Sequence, residues 1–227
     1  MSKLSGTVVV IAILALASAC FPAPATDLQR AAASGNLPEL RRLLDGGAKV
    51  DDEAPGAFTA LVSAAREAPS ESVRLLLDAG ADPLRRAGVN GWTSLQHAAH
   101  KGRTDNVALL LGAASFPAAD RNDALVMAAG YGNPGMVRVL LAGGADPRAE
   151  AKGARALPNA VGGAWDIDAR YQGCAAHTEV VKELLAAAPD LRLGDDAADQ
   201  RALAYARKQG CDEMVALIET AGASARR

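Results

Sequence analysis

Aromatic side chains are scarce in this sequence: Phe, Tyr and Trp make up only 4% of the 227 residues. Half of the residues are nevertheless hydrophobic. Alanine and leucine supply most of that apolar surface, a balance that favours closely packed helices over a β-sandwich. An excess of one charge is lacking too, since the formal net charge is −2 and no basic run stands out. Neither a nucleic acid nor an anionic lipid surface is therefore expected as a partner.

Residues that carry enzyme or metal chemistry are few. The three histidines are His97, His100 and His177, and no two of them have the H-E-x-x-H spacing. No cysteine–histidine cluster has the spacing of zinc ligands, and no G-x-S-x-G nucleophile motif occurs. Cys174 lies three residues before His177, which would let the two meet on a helix. Without a further orienting group, we expect no enzymatic activity, no cofactor and no metal.

The N-terminus has the features of an export signal. Residues 1–19 open with MSK and continue as an apolar stretch that is too short to span a bilayer comfortably. Residues 17–19, Ala-Ser-Ala, form a small-residue site of the kind that an ordinary signal peptidase cuts. Residues 16–20, LASAC, also resemble a bacterial lipobox, in which Cys20 is lipidated and becomes the first residue. Ala17 departs from that motif, which usually has leucine there.

We predict a signal peptide at 1–19 and lipidation of Cys20, with plain secretion and an uncleaved anchor as the alternatives. Phe21 is not the aspartate linked to inner-membrane retention, so the resemblance implies an outer-membrane lipoprotein facing the periplasm. Such a protein touches the membrane only through its N-terminal lipid. Residues 20–26, with alternating prolines, are predicted to form an extended tether.

Two cysteines remain after Cys20. Cys174 and Cys211 form an even pair, and an oxidising compartment would allow a disulfide between them. The alternative is a pair of small buried thiols, because free cysteine is among the most buried residue types.

A repeated pattern covers most of the chain. The stretch LQRAAASGNLPELRRLLDGGA recurs in related forms, each beginning at a leucine. The starts are 30 to 34 residues apart, except for the last interval of 46 residues, which holds 12 extra residues at 162–173. The six starting residues are Leu28, Leu61, Leu95, Leu125, Leu157 and Leu203.

Each unit predicts two short helices joined by a turn. In the first helix a leucine is followed by small residues three and four positions later, as in Leu95, Ala98 and Ala99, which gives one apolar face. A glycine such as Gly102 then reverses the chain, because glycine tolerates positive φ. The second helix presents a V-x-x-L-L face and ends at a glycine C-cap. The predicted fold class is all-α, with about six helix-turn-helix units and short hairpin loops.

These units resemble the ankyrin repeat. Residues 91–111, GWTSLQHAAHKGRTDNVALLL, follow the family pattern G-x-T-P-L-H-x-A-A-x-x-G-H-x-x-V-V-x-x-L-L, with Ser94 in place of the proline. The resemblance implies an ankyrin-repeat solenoid over 27–223, followed by a polar tail at 224–227. An insertion at 162–173 is predicted to interrupt the first helix of repeat five. Repeats are expected to start near residues 26, 59, 93, 123, 155 and 201.

The resemblance also assigns the histidines. His97 occupies the family's T-P-L-H position, which implies that its ring hydrogen-bonds neighbouring backbone. His177 falls at the position of the glycine–histidine turn and receives the same structural role. His100 is expected on a more exposed helix face, beside Lys101.

Residues 130–135, GYGNPG, match the dinucleotide-binding pattern G-x-G-x-x-G by letters alone. That site needs a preceding strand and a helix packed on a parallel sheet. Residues 125–130 instead have a helical pattern, and the aligned repeats place Gly132 at the turn between two helices. Pro134 suits the first turn of the following helix. We therefore predict a turn there and no nucleotide site.

Two surfaces are candidates for binding a partner protein. In ankyrin arrays the hairpin loops and first helices line a concave face, and the residues just before the turn glycine look into it. The candidates on this face are Phe58, Arg66, Glu67, Asn90, Trp92, His100, Lys101, Gly130, Tyr131, Lys208 and Gln209. Trp92 and Tyr131 stand out as interface anchors, with partial burial between adjacent repeats as the alternative. The insertion, with Trp165, Ile167 and Tyr171, is the second candidate.

The function predicted from the sequence is non-enzymatic binding of another protein by an exported, monomeric ankyrin protein. An extended rigid surface without a deep pocket suits recognition better than catalysis. The alternative, by family analogy, is an immunity or inhibitor protein for a co-encoded secreted toxin or enzyme. A host-directed effector and an enzyme are the weaker readings.

Overall fold

The computed structural model describes residues 26–52, 57–162, 173–194 and 196–224. Within these ranges, twelve helices form six antiparallel pairs. The first helices are α1 (Asp27–Ser34), α3 (Ala60–Glu67), α5 (Ser94–His100), α7 (Ala118–Gly130), α9 (Ala156–Gly162) and α11 (Ala197–Lys208). The second helices are α2 (Leu37–Asp45), α4 (Ser70–Asp78), α6 (Thr104–Ala113), α8 (Pro134–Ala142), α10 (Cys174–Ala187) and α12 (Asp212–Ser224). A hairpin joins β1 (Glu150–Ala151) to β2 (Ala154–Arg155), with Ala151 paired to Ala154.

Neighbouring pairs stack into one row of first helices and one row of second helices. The starting leucines of the central repeats, Leu61, Leu95, Leu125 and Leu157, are all buried in a continuous core. The small residues that follow them are buried too, which lets adjacent first helices approach closely. The predicted all-α solenoid of six helix-turn-helix units is therefore confirmed.

Threonine caps explain where three first helices begin. The Thr26 and Thr93 side chains each form a capping box with the glutamine three residues later, and Thr59 accepts a hydrogen bond from the Val62 amide at 3.1 Å. The two capping glutamines also reach the next repeat. Gln29 Nε2 donates to the Phe58 carbonyl at 2.5 Å, and Gln96 Nε2 donates to Asp123 Oδ2 at 2.6 Å.

The stretch GYGNPG is a turn between two helices, as predicted. Gly132 has φ +66°, a conformation that side-chain-bearing residues rarely adopt. The Asn133 side chain caps α8 by accepting from the Met136 amide at 3.0 Å, and Pro134 is the first residue of that helix.

Repeat four begins earlier than expected. The pattern places its start near 123, but α7 begins at Ala118, directly after Pro117. The extra turn carries Asp120, which is buried and accepts from Arg86 Nη2 at 2.9 Å. An ion pair to the linker before α5 therefore stabilises the added turn. Repeat six also begins earlier than expected, since its predicted start is near 201 and α11 begins at Ala197.

The insertion lies elsewhere than predicted. Helix α9 runs unbroken to Gly162 and α10 begins at Cys174, so the insertion separates the two helices of repeat five instead of interrupting the first. The repeat alignment assigned residues 174–176 to the end of the first helix, but they form the first turn of the second helix. Residues 163–172, with Trp165, Ile167 and Tyr171, lie outside the described residues.

At the ends, α12 continues through Ser224, one residue beyond the predicted solenoid boundary. Residues 225–227 of the predicted tail lie outside the described residues. So do residues 1–25, including the predicted signal peptide and Cys20. Among the helices that the structure describes, none is long and apolar enough to cross a bilayer.

Candidate binding groove

Five rings from three successive repeats contact one another in sequence, and we call them the ring row. The centroid of Phe58 lies 4.9 Å from that of His97, and His97 lies 5.4 Å from Trp92. Trp92 lies 5.4 Å from His100, which lies 6.0 Å from Tyr131. The first three contacts are edge-to-face, the geometry that aromatic quadrupoles favour. Three of the eight Phe, Tyr and Trp residues thus lie along one face of repeats two to four, together with two histidines.

His97 fixes the centre of the ring row. Its Nδ1 lies 3.0 Å from Arg66 Nη1 and its Nε2 lies 3.3 Å from the Ala87 carbonyl oxygen. Because a guanidinium only donates, Nδ1 accepts and Nε2 carries the proton that is given to Ala87. Burial lowers the pKa of His97 to about 4, so the ring is neutral at neutral pH. The backbone bond agrees with the role that the repeat pattern implied.

The Arg66 side chain is less exposed than its predicted position on the concave face implies. Its side chain is only 17% exposed, and its guanidinium carbon lies 4.6 Å from the centroid of the Phe58 ring. Burial lowers its pKa from the usual arginine value. Arg66 and Phe58 therefore both pack against the His97 ring, and Arg66 offers little surface to a partner.

The hairpin before α5 presents Trp92 to the groove. The Ala87 amide donates to the Trp92 carbonyl at 3.0 Å, which closes the loop. A Cβ added at Gly88 would lie 2.5 Å from Phe58 Cε1, so only glycine allows this approach. Asn90 is exposed at the tip, beside Val89, whose side chain is 99% exposed.

His100 and Tyr131 join repeats three and four, with His100 Nδ1 2.8 Å from Tyr131 Oη. Both side chains are half-buried, so Tyr131 shows the partial burial between adjacent repeats that was the alternative to an interface anchor. Lys101 is exposed next to them, and its Nζ lies 4.0 Å from Glu67 Oε1. These three groove positions therefore form a mixed aromatic and charged rim.

A pocket of about 280 Å³ opens beside Trp92 and Tyr131. Its wall consists mainly of carbon atoms from the ring row, α7 and the β1–β2 hairpin. It is lined by Trp92, His100, Asp123, Val126, Met127, Tyr131, Ala151, Lys152, Ala154 and Asn159. Three of these, Trp92, His100 and Tyr131, were predicted from the sequence.

Lys152 is the main pocket residue that the repeat pattern missed. Lys152 and Gly153 form the two-residue turn between β1 and β2, with φ +51° and +76°. The Lys152 ammonium lies 4.7 Å from the Trp92 ring centroid and 2.7 Å from Asp123 Oδ2. The Lys-Gly dipeptide, which is compatible with a two-residue hairpin turn, was the only sequence signal for this feature.

The remaining predicted residues lie apart from the ring row. Lys208 and Gln209 are exposed at the end of α11 in repeat six, whereas Gly130 is buried. Trp165 and Tyr171 belong to the insertion outside the described residues. The concave-face candidates therefore do not form one continuous site.

Repeats five and six are joined by a disulfide between Cys174 and Cys211, the bonded alternative of the two considered. The sulfur of Cys174 is thus not a free thiol beside His177. His177 lies within α10, not at a turn, and its Nδ1 is 2.7 Å from the Ala160 carbonyl oxygen. Burial lowers its pKa. Among the described residues, no group of three or more His, Cys, Asp or Glu side chains could hold a metal ion.

Comparisons with known proteins agree with this architecture. Residues 84–151 match the family model of ankyrin repeats in three copies. The structure is similar to the crystal structure of an ankyrin repeat domain from Acinetobacter baumannii AYE, with a TM-score of 0.67 and 23% sequence identity. That match covers 86% of this chain and 97% of the other. No curated protein matches the sequence. The chain therefore has the fold of an ankyrin-repeat solenoid, with ankyrin repeats detected between residues 84 and 151.

Proposed function

We propose that the protein binds another protein through the concave groove at repeats two to four, without catalysis. The observation that carries this proposal is the ring row, which places Trp92, His100 and Tyr131 side by side on one face, where each is half-buried and keeps part of its surface accessible. Aromatic side chains held in this way lose little conformational freedom on binding and are common energetic anchors. Ankyrin repeats are generally protein-interaction modules, which supports the same role.

The proposed place of action is the bacterial periplasm, with Cys20 lipidated and anchored in the outer membrane. Two features support this location. The apolar stretch before Cys20 has the length and flanks of an export signal. The Cys174–Cys211 bond suits an oxidising compartment, since disulfides are rare in reducing cytosol.

The groove is tested by capturing partners from a periplasmic extract with the purified protein, followed by binding measurements with each purified candidate. Trp92→Ala and Tyr131→Ala should each weaken the complex about tenfold or more, the usual loss at an interface anchor. Arg74→Glu serves as the matched control, because Arg74 is exposed on the second helix α4. Thermal unfolding of each variant checks that the fold is intact.

The insertion provides the contrasting result. If removal of residues 163–172 abolishes the complex while neither Trp92→Ala nor Tyr131→Ala weakens it, the groove is not the binding site. The insertion would then carry the interaction.

Membrane anchoring has a separate test. Cys20→Ser should release the protein into the soluble periplasmic fraction and remove incorporation of a labelled fatty acid. Unchanged fractionation and labelling would rule out lipidation at Cys20.

A further inference from the structure

The pocket beside Trp92 has the size of one large side chain. Its volume of about 280 Å³ exceeds a benzene-sized cavity of about 150 Å³ and falls just below the range of about 300–1,000 Å³ typical of small-molecule sites. Val126, Met127 and the alanines of the hairpin give it an apolar lining. An aromatic or large aliphatic side chain that projects from a polypeptide would fit this shape.

The cation at the pocket rim is held in place by a chain of contacts. Lys152 pairs with Asp123, and Asp123 also accepts from Gln96, which belongs to the capping box of α5. The tight turn at Lys152 and Gly153 also fixes the backbone conformation of Lys152. Because these contacts already order the Lys152 side chain, it loses little further conformational entropy when a partner binds.

Exposed charge differs between the two helix rows. Beside the ring row, Lys101 pairs with Glu67 and Lys152 pairs with Asp123. The six first helices carry six basic and five acidic residues. Asp123 is buried beneath Lys152. The six second helices carry ten acidic and five basic residues. The row of second helices would therefore repel an acidic segment more strongly than the groove would, and the two lysines could each take a further carboxylate contact.

We propose that the groove binds an extended acidic segment of another protein, with one aromatic or large aliphatic side chain in the pocket between Trp92 and Tyr131. Carboxylates of that segment lie beside Lys101 and Lys152. This assignment rests on the proposed protein-binding function and adds the chemistry of the partner. The side chain supplies the buried apolar contact, and the carboxylates set its position along the groove.

A random peptide library displayed on phage tests the assignment with the purified protein as the target. The expected selection is enriched in Asp and Glu around a Phe, Trp, Tyr, Leu or Met. The selected peptides, made synthetically, should bind Lys152→Glu about tenfold more weakly than the unmodified protein, and Lys101→Glu should also lose affinity. Arg74→Glu should bind with unchanged affinity. Binding to the unmodified protein should weaken as salt rises.

A second pair of variants tests the pocket. Tyr131→Ala should weaken binding of the same peptides about tenfold, whereas Tyr131→Phe should retain most of it, because the ring forms the wall. Selected peptides that are basic or carry no charge would overturn the proposal. So would equal binding to Lys152→Glu, equal binding to a folded Tyr131→Ala, or no enrichment over a blank surface. If a natural partner still depends on Trp92 and Tyr131, the groove function stands and only the assigned partner chemistry fails.

Discussion

Repeats two to four and repeats five to six are coupled by different means. In the first region neighbouring repeats are joined by ring contacts, by hydrogen bonds such as that between His100 and Tyr131, and by ion pairs such as Arg86 with Asp120. In the second region they are joined by a disulfide and by ion pairs, including Arg155 with Asp199. Ion pairs therefore couple repeats in both regions. The difference is that ring contacts are added where the groove lies, whereas a covalent bond is added at the end of the array.

Loss of the disulfide is expected to separate the two regions most clearly. The double variant Cys174→Ser and Cys211→Ser should lower the free energy of unfolding by up to about 4 kcal/mol, as estimated from loop closure over a sequence separation of 37 residues. Reduction of the unmodified protein should act in the same direction. Hydrogen exchange should accelerate first in α11 and α12. Equal loss of protection in α5 and α7 would show that the two regions form one cooperative unit.

Acid is expected to weaken the region of the ring row. The pKa of His97 is about 4 in the folded protein against 6.5 for a free side chain, so the unfolded chain binds this proton first as the pH falls. The stability that depends on neutral His97 is present above about pH 6.5 and is lost between there and about pH 4. The full loss corresponds to about 3 kcal/mol.

Urea unfolding at a series of pH values measures this effect. In His97→Gln the part due to His97 should vanish, leaving a flatter dependence than that of the unmodified protein. His177→Gln is the matched variant in repeat five, where the lowered pKa acts in the same direction. Identical pH profiles for His97→Gln and the unmodified protein would contradict the assignment.

The ion pairs of repeats five and six should contribute unequally to the free energy of unfolding. Asp199 is fully buried and pairs with Arg155 at 2.7 Å, so Asp199→Asn should lower the free energy of unfolding by about 2 kcal/mol. Lys182 makes exposed pairs with Glu179 and Glu213, and Lys182→Ala should leave the unfolding midpoint unchanged. Chemical denaturation of both variants makes the comparison. A larger loss in Lys182→Ala would reverse it.

The fold was predictable because leucines at a regular interval are buried in the same way in repeats one to five, so their spacing gives the length of the repeat. Two of the boundaries that differ from the prediction have clear local reasons. Helix α7 begins early because an extra turn forms at Ala118. Helix α10 begins at Cys174 because residues 174–176 belong to the second helix of repeat five and not to the first. Both choices are decided by tertiary packing that a repeat alignment does not contain.

The site was predictable in part. Trp92 was identified as a hairpin residue, and His100 and Tyr131 were identified because the repeat pattern places them just before a turn glycine. Lys152 was missed because it lies in the linker between repeats, and its contact with Trp92 requires the hairpin to fold back onto the previous repeat. Arg66 occupies a groove position, but the neighbouring Phe58 and His97 rings bury it.

The capping glutamines have a consequence for how the array folds. Gln29 and Gln96 each complete the first turn of their own helix and at the same time bind an atom of the following repeat. Helix initiation in one repeat is therefore energetically coupled to the presence of the next. In a linear array of this kind, such coupling adds to the nearest-neighbour interface free energy, so folding that starts at one repeat propagates to its neighbour.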